Sequence, residues 1–70
     1  MRKLRTLDTH GDYVQEILDE FNERAHEFGV TKENLVTVNV LPPMPGVKVA
    51  TGKGTSDPSV RVVFIYWSDE

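Results

Sequence analysis

The stretch Val60–Trp67, VRVVFIYW, carries a single charge, Arg61, and is otherwise apolar at every position. Val60, Val62, Phe64 and Tyr66 share one face of an extended chain, and Val63, Ile65 and Trp67 share the other. A strand that is apolar on both faces needs cover above and below and neighbours on both sides, so it belongs in the middle of a sheet. The rest of a 70-residue chain must be arranged around it.

The flanking segments supply the neighbours. Residues 2–7 read as a short first strand, with Leu4 and Leu7 apolar among Arg2, Lys3 and Arg5, charges that suit an edge and discourage sheet-to-sheet association. Asp8 to Asp12 reads as a turn, with Thr9 or Asp12 as helix N-cap and Asp12 with Gln15 in capping-box spacing. From Asp12 to Phe28 the apolar residues Val14, Ile17, Leu18, Phe21, Ala25 and Phe28 form one helical stripe, opposite a polar face that includes Glu16, Glu20, Glu23 and Glu27. Glu20 and Arg24 form an i,i+4 pair, and Gly29 is placed to end the helix in a left-handed conformation. After a connector, Val30 to Asn34, the second strand runs from Leu35 to Leu41, with Val36, Val38 and Val40 on one face and Leu35, Thr37, Asn39 and Leu41 on the other. Pro42 and Pro43 end it. Residues 42–59 form a long Pro/Gly-rich loop or irregular hairpin in which Val47 to Val49 can extend, and Ser68 to Glu70 form a solvated end.

These elements predict one α+β domain of β-α-β-β order over residues 1–70. Its three-stranded sheet has the last strand between the first two (order 1-3-2), with one amphipathic helix on one face. One helix covers one face, so the other carries Leu35, Leu41, Val63, Ile65 and Trp67. Exposed apolar surface of that kind marks an interface, here between copies of the chain. The alternative cover is loop 42–59 folded back.

Composition narrows the function. A domain of this size buries only about 60% of the surface of its unfolded chain, and such domains usually need a staple. Cysteine is absent, which removes disulfides and thiolate metal sites, and the two histidines, His10 and His26, fall in no metal-ligand spacing. Self-association remains. The formal net charge of −3 argues against general nucleic-acid binding, no apolar run approaches a membrane span, and the setting is expected to be cytoplasmic.

The most site-like segment is Gly52-Lys53-Gly54-Thr55-Ser56. Its glycines allow adjacent N–H groups to be presented, and its lysine and hydroxyls suit an anion. It lacks the Walker A spacing. Lys48 and Arg61 join the same patch if the loop is a hairpin. Asp8, His10 and Asp12 lie close together but have no adjacent nucleophile motif, so no catalytic residue, metal or cofactor is assigned.

The helix Tyr13–Phe28, the strand Val36–Val40 and the aromatic, aliphatic and acidic run Val63–Glu70 together resemble the small acidic sporulation-associated proteins of bacilli and their phage-borne relatives. The β-α-β-β order, with Arg24-Ala25, Asn34-Leu35 and Val60–Phe64, is also similar to the dodecins. That resemblance implies hollow homo-oligomers. Dodecins stack flavin on a tryptophan of the second strand, where this chain has Val36, Thr37 and Val38, so flavin binding is not implied. The resulting expectation is a non-enzymatic homo-oligomeric binding domain that captures an anionic small molecule such as a nucleotide, in the manner of a phage sequestering protein. The alternative is a protein-interaction module that inhibits or scaffolds a macromolecular partner.

Overall fold

A computed structural model describes residues 2–69, with the side chain of Thr51 outside the description; the expected solvated end therefore extends, at Glu70, beyond the described residues. The order is β1 (Lys3–Gly11), α1 (Val14–Arg24), a 3-10 turn (Ala25–Phe28), β2 (Leu35–Leu41), β3 (Val49–Thr51), β4 (Gly54–Ser56) and β5 (Val60–Ser68). The fold is α+β. The main sheet has three strands in the order β1-β5-β2, and β3 and β4 form a separate two-stranded hairpin. β5 lies antiparallel to both neighbours, so the strand that is apolar on both faces occupies the centre, as its composition demands.

The register assigns the faces. Leu7 lies opposite Phe64 and Thr9 opposite Val62 on one side of β5, and Val38 opposite Phe64 and Val40 opposite Val62 on the other. α1 packs on this face, against β1 and β5. Ile17, Val62 and Phe64 form the buried centre, flanked by Val14, Leu18 and Phe21 from the helix stripe and by Leu7, Leu35 and Val60 from the sheet. The Phe21 and Phe64 rings stack with centroids 3.8 Å apart and planes 7° from parallel. Gly11 lets the helix approach closely: a Cβ there would lie 3.1 Å from Ile17 Cγ1, so the Ile17 side chain would have to give by a few tenths of an ångström.

Four local expectations are corrected. β1 continues to Gly11 through the segment expected to be a turn, because Asp8 and His10 lie on an edge strand, where polar side chains are tolerated, and are held opposite Val63 and Arg61. The helix begins at Val14, and its N-cap, Tyr13, makes no side-chain cap hydrogen bond, so neither Thr9 nor Asp12 caps it. Thr9 Oγ1 instead donates to the Val62 carbonyl, and the Gln15 amide donates to Asp19. The regular helix stops at Arg24 and tightens into a 3-10 turn before Gly29, which closes it with φ +71°, as its position predicts. Finally, a register shift between Leu35 and Thr37 puts Leu35 opposite Tyr66. That bulge turns Leu35 onto the helix face and into the core margin, away from the open face.

Candidate functional site

The expected anion site divides in two. β3 and β4 pair as Val49 with Ser56, Ala50 with Thr55 and Thr51 with Gly54, leaving Gly52-Lys53 as the tip. Gly54 has φ +126°, so a left-handed position is needed there, and a Cβ on Gly52 would meet nothing within 4 Å. The tip is exposed. The cations meant to join it are engaged elsewhere: Lys48 pairs with Asp57, and the Arg61 guanidinium grips Asp8 with Nε at 2.9 Å and Nη2 at 2.8 Å. The groove beside the hairpin, about 240 Å³, is lined by Ser56 together with Asp12, Glu16 and Glu20, a negative setting that repels an anion.

The Asp8–Arg61 fork has its own consequence. The Arg61 hydrogen bonds, opposed by partial desolvation and aided by the charges of Arg61 and His10, hold the Asp8 carboxyl below its ordinary value of 3.8. A carboxyl depressed in the folded state stabilises the fold above its unfolded pKa, and that contribution is lost as pH falls through the folded one. Stability is expected to decline as pH drops below about 4, and Asp8→Asn should flatten that part of the acid limb. Urea unfolding of both proteins over acidic pH checks this; identical slopes would deny the pair its role.

The open face of the sheet carries Leu41, Val63, Ile65 and Trp67, as the strand alternation requires. Val63 lies between Asp8 and Asn39 in the register and is only 9% exposed, whereas Trp67 is 39% exposed. The hairpin lies beside the first turn of α1, where Val49, Ala50 and Ser56 line the groove shared with Gly11, Tyr13 and Glu16.

A second cleft, about 250 Å³, runs between β1 and α1 and is lined by Leu7, Thr9, His10, Glu20, Phe21 and Arg24, among others. His10 lines the cleft from β1, but the register sets it opposite Arg61 on the face away from α1, and its Nε2 is buried without a hydrogen-bond partner among the described residues. Arg24 closes one end, paired with Glu20 and Glu27 and lying 5.4 Å above the Phe28 ring. Among the described residues no cluster of His, Cys, Asp or Glu has the geometry to hold a metal ion, and no helix is long and apolar enough to cross a membrane.

The feature that strand alternation did not expose is β2. Because α1 packs mainly over β1 and β5, the valines of β2 stay open to solvent: Val38 and Val40 on the helix side are 39% and 54% exposed, and Val36 in the bulge is 51% exposed. No described strand pairs with its outer edge. The β2 sequence, LVTVNVL, contains no charge and no proline, whereas the opposite edge, β1, carries Lys3, Arg5, Asp8 and His10. Trp67 N–H donates to the Asn34 carbonyl at 2.8 Å, so the odd-numbered residues of β5 point their backbone groups at β2. Thr37 and Asn39, opposite Ile65 and Val63, therefore use theirs within the sheet, and Val38 and Val40 turn theirs outward. The sequence signal that could have found this site is a strand without a single gatekeeping charge.

Comparison of the chain with protein-family models, with curated proteins and with solved structures returned no match.

Proposed function

We propose that this chain is a non-enzymatic binding module that works through protein contact, its β2 edge receiving a strand from a partner. The observation that carries this reading is the bare edge itself. Val38 and Val40 present outward N–H and C=O groups beside exposed valine side chains, with no charge or proline to block pairing. An added strand would satisfy those backbone groups and cover the valines in one step, which is how strand addition combines affinity with side-chain selection. Edges of this kind are ordinarily blunted when they have no partner.

Capture of an anion by Lys48, Lys53 and Arg61 around Gly52–Ser56 is the less supported reading. It requires Arg61 to leave Asp8 and Lys48 to leave Asp57, close to a groove lined by acidic side chains.

The test is a titration of isotope-labelled protein with a lysine-flanked peptide of alternating valine and threonine, followed through backbone amide shifts. Shifts concentrated on residues 36–41 are expected. Shifts at the hairpin tip or the open face, or none, would refute strand addition at β2.

A further inference from the structure

We infer that the strand received by β2 is the β2 of a second copy, paired antiparallel about a twofold axis through Val38. This rests on the strand-addition reading and names its partner. The residues of β2 on either side of Val38 match: Val36 with Val40, and Thr37 with Asn39 in size and polarity. Antiparallel pairing of two copies about that residue sets Thr37 beside Asn39 and Val36 beside Val40 of the copy, the self-complementarity that a twofold interface demands, while the bulge leaves Leu35 outside the pairing, in the core margin.

The backbone selects the same arrangement. Val38 points its N–H and C=O outward, so a twofold through it makes Val38 and its copy a hydrogen-bonded pair with Cα atoms about 5.5 Å apart. The register two residues further on would set Val36 opposite Pro42, which has no N–H to donate. The axis stands perpendicular to the sheet and leaves both helices on one face. Because α1 lies over β1 and β5 in each copy, the exposed valines of the two β2 strands meet in the trough between the helices. The product is one continuous sheet, β1-β5-β2-β2-β5-β1, bounded at both ends by the charged β1 edge. Coverage of the bare valines supplies the burial that a domain of this size lacks alone.

The experiment is sedimentation equilibrium of the whole chain across the micromolar range, for wild type, Val38→Lys, Val38→Glu and an equal mixture of the two, with amide spectra to check folding. Wild type is expected to dimerise. Each charged variant alone, facing its own like charge, should raise the dimer dissociation constant by about a hundredfold, and the mixture should recover a heterodimer. A third variant, Val38→Cys, close to valine in size, should oxidise to a covalent dimer while keeping the native fold, because the pair spacing fits a disulfide. A wild-type dimer that Val38→Lys leaves intact would place the interface elsewhere and overturn the inference, as would a mixture that stays monomeric while both variants are folded. A monomeric wild type would remove the second copy as partner, yet the peptide titration would still report whether β2 accepts a strand, so the two failures are separable.

Discussion

Phe64→Ala is expected to be the most damaging single substitution in this chain, costing about 3–5 kcal/mol of folding stability. Phe64 is fully buried and sits at the crossing of every layer. It is flanked by Leu7 of β1 and Val38 of β2 in the sheet and stacked against Phe21 of α1 at a centroid distance of 3.8 Å. Removing the ring deletes the contact that ties helix to sheet and leaves a cavity in a core whose centre is otherwise only Ile17 and Val62. At roughly 0.05–0.15 kcal/mol per residue a domain of this length has little more than that loss to spare. Thermal unfolding followed by circular dichroism should show the midpoint falling by about 15–30 °C, or no cooperative transition at all. A loss below about 1 kcal/mol would mean that the Phe21–Phe64 stack does not organise the core, since ordinary surface changes stay within about 0.5 kcal/mol.

Asn34→Ala is expected to cost about 2 kcal/mol although the residue is only half-buried. Its side chain joins three segments. Nδ2 donates to the Gly29 carbonyl at 2.8 Å and to the Trp67 carbonyl at 2.9 Å, while Oδ1 accepts from the Thr31 N–H at 2.6 Å and from the Thr31 hydroxyl at 3.2 Å. It thus fastens the helix exit to the end of the central strand, just where the chain turns into β2. Alanine leaves two carbonyls and one N–H to find water, at about 0.5–1.5 kcal/mol for each bond, discounted for exposure. Asn34→Asp is the informative companion. It keeps the acceptor for Thr31 but aims a carboxylate at the Gly29 and Trp67 carbonyls, so it should destabilise at least as much as alanine near neutral pH. Urea unfolding of the three proteins decides the matter; an Asp variant as stable as the wild type would show that the Nδ2 bonds contribute nothing.

Much of the architecture is legible in the order of the residues alone. The central place of β5 follows from Val60–Trp67 being apolar on both faces, and the docking surface of α1 from the spacing of Val14, Ile17, Leu18 and Phe21. Both are burial patterns, written residue by residue in side-chain chemistry. Gly29 as the helix stop is equally legible, because a left-handed position favours glycine. The role of Asn34 is not: a single polar residue in a connector has no period, and its partners are five residues before it and thirty-three after.

The candidate site depended still more on tertiary geometry. An arginine and a lysine near a glycine-rich turn suit an anion on chemistry alone, but whether they are available depends on Asp8 and Asp57, which the fold sets against Arg61 and Lys48. By itself, then, the sequence determined the class of fold, the central strand and the helix face, because burial is a local property of each side chain repeated along an element. Only the tertiary structure decided that α1 leans over β1 and β5 and leaves β2 bare, and that a bulge turns Leu35 into the core while Val38 points its backbone to the edge. Those outcomes depend on where rigid elements come to rest against one another, and no periodicity within one segment encodes the position of another.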